Sequence, residues 1–317
     1  YEIPKRDWSS DVCSSDLGNV VIKGGGDPKF LIEHLWMLAR ALRARGIRDI
    51  RGDLLLDRSL FTINYPDPAA FDGEPLQPYN VTPDALLTNF KSLAFAFAPD
   101  PETKSVRITV EPPLAQVQVI NNVALTEGAC GIWYNRIKAQ AQDTGANAII
   151  SLGGAYPRSC GEQSAYFSLL GHREFTGALF AHLWRELGGV FRGRVRDGEA
   201  GANATRILVH RSLALSEITR DINKASNNVM ARHLLLSLVT GNGPATPERS
   251  ARAVQQLFAT KNINMPELVI ENGSGLSRIE RVTARGLGQM LVTAYRSAIM
   301  PEFMASDRKS TRLNSSH

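Results

Sequence analysis

Three observations on the sequence predict an α/β chain of more than one folded unit. Residues 18–57 read as strand, amphipathic helix, strand. Residues 85–170 read as short β segments parted by turns, and from Ser212 onward the apolar residues recur at helical spacing. A length of 317 residues with 43% hydrophobic content is enough for two or three cores. Charged residues make up 21%, ordinary for a folded globular chain.

In order, Val20-Val21-Ile22 is a β-branched run that leads into Gly24-Gly25-Gly26-Asp27-Pro28. These glycines come without a P-loop lysine or a G-x-G-x-x-G, so they read as a turn that caps the next helix and not as a phosphate loop. Leu31, Leu35, Leu38 and Leu42, with Ile32, Trp36 and Ala39, set that helix, and Gly46 ends it as a C-terminal cap. Residues 53–57 follow as a short buried strand. Residues 62–84, rich in Pro, Asn, Asp and Gly, form a long irregular connection. Strands are expected over 93–98, 106–110, 117–125, 149–152 and 165–170. A helix over 175–187 stops at Gly188-Gly189, and Arg206-Ile207-Leu208-Val209 reads as a strand. Leu213, Leu215, Ile218 and Ile222 carry the next helix, and Val229, Met230, Leu234, Leu235 and Leu238 the one after it. Thr246-Pro247-Glu248 starts another, with proline in the first turn. Leu268-Val269-Ile270 reads as a strand, and a last helix covers about 283–297.

The net charge is +5, with Lys and Arg scattered and no nucleic-acid motif, which argues against a nucleic-acid partner. A basic balance suits work on an anionic polymer such as a cell wall. No apolar run approaches the roughly 18 residues that a membrane span needs. The ends differ from the rest. Residues 7–17 and 307–317 lack periodicity, are biased to Ser, Asp and Arg, and resemble translated sequencing-adapter scars, so 1–17 and 307–317 are read as non-native. On that reading the natural protein continues in both directions and any signal peptide lies beyond the chain. Of the three cysteines Cys13 falls in the suspected scar, leaving Cys130 and Cys160. They are a disulfide in an oxidising compartment or two buried thiols.

The chemistry concentrates at Asn223-Lys224-Ala225-Ser226-Asn227-Asn228, polar residues packed between two amphipathic helices. Ser and Asn are favoured at helix caps, so Ser226-x-Asn228 alone is a turn or the wall of a site. Its company is more specific. Together with Asn272-Gly273-Ser274-Gly275-Leu276-Ser277-Arg278, Arg281-Val282-Thr283-Ala284 and Gly24-Gly25-Gly26-Asp27-Pro28, it resembles the class C low-molecular-weight penicillin-binding proteins, the D-alanyl-D-alanine carboxypeptidase/endopeptidase family. The resemblance covers most of residues 18–306.

It implies a serine acyl transferase of the bacterial periplasm with three motifs: SxxK with the nucleophile and its lysine, SxN opposite, and K-T/S-G on an edge strand. It implies the helical part of a β-lactamase/transpeptidase-like domain at 206–306, carrying SxN, with inserted α/β and β-rich accessory domains over 18–205. Ser226 would relay protons beside the nucleophile, and Asn228 would hydrogen-bond the substrate peptide and hold the lysine. Peptidoglycan stem peptides are the implied substrates, β-lactams the implied inhibitors, and neither a metal nor an organic cofactor is called for.

The sequence also departs from the family. No Lys-Thr-Gly or Lys-Ser-Gly occurs, and Thr88-Asn89-Phe90-Lys91 lacks the serine. Ser306-Asp307-Arg308-Lys309 fits SxxK but follows SxN, where the family has it before, and spans the suspected scar. The expectation is a chain that starts after the true SxxK, ends before K-T-G and is inactive by itself. The rival is a non-catalytic periplasmic wall-binding or scaffolding protein with the same fold. His34, His172, His182, His210 and His233 are not at metal-pair spacing and read as ordinary surface or core residues. Gly273-Ser274-Gly275-Leu276-Ser277 is not a nucleophile elbow but a tight turn supporting the site wall. Asp27, Asp53 and Asp57 read as capping or surface carboxylates.

Overall fold

A computed structural model describes residues 16–307 apart from 65, 66, 101, 202, 203 and 242. Cys13 and the Arg308-Lys309 half of the late SxxK match lie outside the described residues. Mixed helices and sheets form an α/β architecture of several units.

The opening unit is parallel. Strand β1 (Asp16–Leu17) precedes β2 (Val20–Lys23), α1 (Ile32–Ala44), β3 (Asp49–Ile50) and β4 (Leu54–Asp57), and β2 pairs with β4 from Val20↔Leu54 to Lys23↔Asp57. Parallel neighbours need a crossover, which α1 supplies. The unit closes only much later in the chain. Helix α2 (His172–Glu186), β11 (Val190–Phe191) and β12 (Val195–Asp197) return to it, giving parallel sheets ordered β12-β4-β2 and β1-β3-β11 by position in space. A Cβ at Gly177 would meet Val195 side-chain atoms at 2.6 Å, so this glycine lets α2 lie close on β12.

Everything between is inserted and mostly β. Strands β5 (Leu93–Asp100), β6 (Ser105–Glu111) and β10 (Gln163–Phe167) form an antiparallel sheet ordered β10-β5-β6. Strands β7 (Val117–Thr126), β8 (Ile137–Asp143) and β9 (Ala148–Pro157) form a mixed sheet ordered β7-β9-β8. Cys130 and Cys160 are bonded across the loops of this region, with Cα atoms 4.7 Å apart. Leu35, Leu54, Phe95, Ile150, Phe175 and Trp184 are fully buried in one continuous core running through the opening unit and both sheets. Each such side chain contributes on the order of 1.5–3 kcal/mol of burial.

The C-terminal part is helical: α3 (Leu215–Ala225), α4 (Asn228–Ser237), α5 (Pro247–Thr260), α6 (Ala284–Tyr295) and α7 (Met300–Ser306). Its buried clusters are small, and most are shared with the preceding region. Phe61, Ala85, Leu236 and Ala245 form one, and Val81, Leu87 and Val229 another, so α4 is seated on the 61–90 connection.

Several sequence expectations are corrected. Residues 206–209 are not a strand: no strand among the described residues pairs with them, and Ile207 and Val209 face solvent. Residues 268–270 reduce to one bridge, Val269 to Arg281. Strand β8 was not expected at all. The Gly24–Gly26 turn does not cap α1, whose first free amide at Leu31 donates to His34 Nδ1 at 3.0 Å. The glycines instead allow backbone contact: Gly26 N–H donates to Ala85 O at 2.9 Å, and a Cβ at Gly24 would stand 2.3 Å from that oxygen.

Candidate functional site

The α3–α4 junction is made by three polar residues doing different jobs. Ser226 ends α3 by entering the left-handed region (φ 56°, ψ 46°), where its amide still bonds Ile222 O. Asn227 caps α4, its Oδ1 accepting the Met230 N–H at 3.0 Å. Asn228 opens α4 and sends Nδ2 to Ser274 O at 3.1 Å. Ser226 is therefore exposed at the tip while Asn228 is half-buried behind it. The turn, not chance, sets both side chains on one rim.

The Asn272–Ser277 segment supports that rim. Ser274 is fixed by Asn272 Oδ1, which accepts from its backbone N–H at 2.9 Å and its hydroxyl at 2.6 Å. Glu280 Oε1 accepts the amides of Glu271, Asn272 and Gly273 at 2.9–3.0 Å. Gly273 (φ +74°) lies over Leu235, where a Cβ would come within 3.1 Å, so the turn sits directly on α4. One turn beyond Asn228, Arg232 reaches Ser274 Oγ at 3.3 Å and the carbonyls of Tyr79 and Val81 at 3.3 and 3.0 Å. Burial lowers the Arg232 pKa, and the charges of Glu271 and Glu280 oppose that.

A second anchor lies deeper on α4. His233 is fully buried, and its ring edge meets Phe61. Its Nδ1 lies 2.9 Å from Val229 O, and Nε2 accepts the Asp84 N–H at 3.3 Å. Burial lowers the His233 pKa despite the facing carbonyls of Val229 and Asp84, so the ring is neutral. Burial would raise the Asp84 carboxyl, but the hydrogen bonds and charge of Arg58, with the Leu86 amide, hold it below the usual carboxylate range.

In front of the junction is an open cleft of about 440 Å³, lined by Gln77, Pro78, Tyr79, Phe90, Ser92, Tyr166 and residues 225–229. The structure thus brings Ser226 and Asn228 to one cleft and adds three aromatic residues from the inserted region. Those three carried no local signal in the sequence. Arg232 had one, since it stands four residues from Asn228 on the same helix face. Cys130 and Cys160 do not line the cleft. Ser306 is buried at the end of α7, donating to Phe303 O at 2.7 Å and accepting from Asn223 Nδ2 at 2.9 Å, while Lys224 Nζ bonds Asp307 O. A hydroxyl held so is poorly placed to attack anything. Among the described residues no group of three or more His, Cys, Asp and Glu is arranged to hold a metal.

A family model described as the D-Ala-D-Ala carboxypeptidase 3 (S13) family matches residues 11–306. The chain is 25% identical over 290 residues to a D-alanyl-D-alanine carboxypeptidase of Actinomadura sp. (strain R39), covering 85% of this chain and 51% of that protein. It is 23% identical over 277 residues to D-alanyl-D-alanine carboxypeptidase DacB of Haemophilus influenzae, covering 86% and 57%. The fold is shared with the crystal structure of penicillin binding protein 4 (dacB) from Haemophilus influenzae at a TM-score of 0.71 and 21% identity, over 90% of this chain and 63% of that one. A structure of the same protein complexed with a novel β-lactam matches at a TM-score of 0.67 and 21% identity, over 92% and 63%. The chain spans about half the length of the curated relatives it matches.

Proposed function

The chain belongs to the D-Ala-D-Ala carboxypeptidase 3 (S13) family, and we propose that it carries the SxN wall of a serine-type enzyme that cleaves the D-Ala-D-Ala end of peptidoglycan stem peptides. The observation that carries this reading is the junction itself, where Ser226 and Asn228 share one rim of an open cleft. In the proposed reaction a serine hydroxyl attacks the carbonyl of the penultimate D-alanine. Its proton passes to the leaving amine, the amide C–N bond breaks, and terminal D-alanine departs from an acyl-enzyme ester that water then hydrolyses.

Ser226, exposed and able both to donate and to accept, is the relay for that proton. Asn228 has its nitrogen committed to Ser274 O, and its carboxamide oxygen is the group that would accept from a substrate N–H or a lysine ammonium. Residues 206–306 form part of the catalytic domain on this reading, and residues 18–205 are accessory. The nucleophile with its lysine and the K-T/S-G strand come from sequence beyond these residues. The proposed setting is the periplasm, with cross-link cleavage as a second activity and β-lactams as acylating inhibitors. The β-lactam complex of the Haemophilus influenzae protein supports the last point.

The test is covalent labelling by a fluorescent penicillin. The product of the complete coding sequence should be labelled and the 317-residue chain should not. Labelling of the 317-residue chain would show that the nucleophile lies within it. A complete product that takes no label would favour a non-catalytic wall-binding protein.

A further inference from the structure

The most strained backbone among the described residues stands next to the cleft. Asn89, Phe90 and Lys91 are three successive residues with side chains in the left-handed region, at φ 50°, 51° and 50°. A bulky residue there is an outlier, and a run of three persists only where its surroundings over-determine it.

Here they do. Asn89 N–H donates to Phe30 O at 2.8 Å and its Nδ2 to Ser92 O at 3.0 Å; Lys91 N–H donates to Thr88 O at 2.8 Å. The largely buried Lys91 ammonium donates to Leu170 O at 2.6 Å, and Leu170 in turn sends its amide to Asp143 Oδ2 at 2.7 Å. Three segments far apart in sequence, at Phe30, Asp143 and Leu170, thus hold one short turn.

What the turn presents is the Phe90 ring. It packs against two buried clusters, that of Val81, Leu87 and Val229 and that of Ile218, Ile222 and Met230. Ile218 and Ile222 belong to α3, and Val229 and Met230 to the first turn of α4. The ring is a wedge between the two helices whose junction carries Ser226 and Asn228, and its remaining surface lines the cleft.

We propose that Phe90 is a positioning residue for the Ser226–Asn228 wall, with the left-handed turn holding the wedge that fixes the angle between α3 and α4. This rests on the functional reading above. It also gives the inserted region a task in the reaction, since the wedge belongs to the insert and the wall to the helical part.

Two measurements test it. The first needs no activity: amide hydrogen exchange in the 317-residue chain at Asn227, Met230 and Ala231, whose N–H groups close the junction. Phe90→Ala should speed exchange at those three amides by about tenfold or more, leave β5 and β9 unchanged, and be largely rescued by Phe90→Leu. Lys91→Met, which keeps the stem but removes the bond to Leu170, should produce a smaller rise at the same amides and covers the case in which Phe90→Ala does not fold. Unchanged exchange in both variants overturns the proposal.

The second is the acylation rate of the complete protein by a penicillin. Phe90→Ala should lower the maximal rate about tenfold, with little change in the half-saturating concentration, and Phe90→Leu should return it to within about threefold. Faster exchange with an unchanged acylation rate reduces Phe90 to a packing residue and overturns the proposal. Absence of acylation in the wild-type protein overturns the functional reading instead, and the exchange result then stands as a fact about folding alone.

Discussion

Residues 18–205 and residues 206–306 use apolar surface in opposite ways. In the first region one continuous core links α1, α2, β4, β5 and β9, and its largest side chains are sealed from solvent. In the second, α6 exposes Leu287, Leu291, Val292 and Tyr295 at 40%, 49%, 50% and 63%, and Ile299, Phe303 and Met304 follow on and before α7. The helical part is held instead by docking on the 61–90 connection and by two ties to the opening turn. Lys29 Nζ meets Asp221 at 2.5 Å, and His210 lies 3.3 Å from Asp27. A region that buries itself can act as a scaffold. One that leans on a neighbour inherits its geometry from that neighbour, and the candidate site is in the leaning region.

The contrast breaks most sharply under truncation of Trp184, which is fully buried, donates Nε1–H to Val190 O at 3.0 Å and faces the Arg43 guanidinium at 5.5 Å. Trp184→Ala should cost about 3–5 kcal/mol in urea unfolding. A loss below about 1 kcal/mol would mean that the continuous core is not the scaffold. Reducing the Cys130–Cys160 bond, which closes a loop of 30 residues, should cost about 3.6 kcal/mol on the chain-entropy account. That loss should appear in the β sheets and leave exchange at the α3–α4 junction unchanged.

The pH dependence tests the buried seam between the regions. His233 is held neutral by burial, and burial takes the nearby His172 down to about 3. The unfolded chain takes up these protons near pH 6.5, so the stability they contribute is complete above that value and is lost as pH falls below it. Melting temperature should drop by about 5 °C from pH 7.5 to pH 5, a range in which Asp84, with its lowered pKa, stays ionised. A flat profile would mean that the seam is not sealed. The smallest effect belongs to the exposed face: Leu291→Gln on α6 should change stability by no more than about 0.5 kcal/mol, where the same change at Leu54 should cost several.

Much of this was legible in the sequence wherever the signal was local. Gly46 and Gly188 end α1 and α2 with φ of +84° and +73°, and Thr246 caps α5 through the Arg249 amide, as turn and cap chemistry required. Periodicity located α1 through α6: α1 to α4 bury their apolar stripe, whereas α5 and α6 leave most of theirs exposed or half-exposed. Strand β8 was missed because its Ile-Lys-Ala-Gln-Ala-Gln alternation uses small and amide side chains of low β preference. Residues 206–209 erred the other way: the composition was right for a strand, but among the described residues no partner completes the ladder.

The same division runs through the site. Ser226 and Asn228 announce themselves because they flank Asn227, the polar cap that a helix–turn–helix junction needs. Tyr79, Phe90 and Tyr166 arrive at the cleft from the inserted region by tertiary packing alone. The strain at Asn89–Lys91 was invisible, since Phe and Lys give no warning of a left-handed backbone.

The central claim is that the Ser226–Asn228 rim is one wall of an acyl-transfer cleft. It is tested most directly by D-alanine release from a stem pentapeptide by the complete protein, comparing wild type with Ser226→Ala and Asn228→Ala. Each substitution should lower kcat about a hundredfold or more, while thermal unfolding shifts by no more than the loss of one hydrogen bond, about 1 kcal/mol. Wild-type rates in both variants would contradict the account and return the junction to a helix cap.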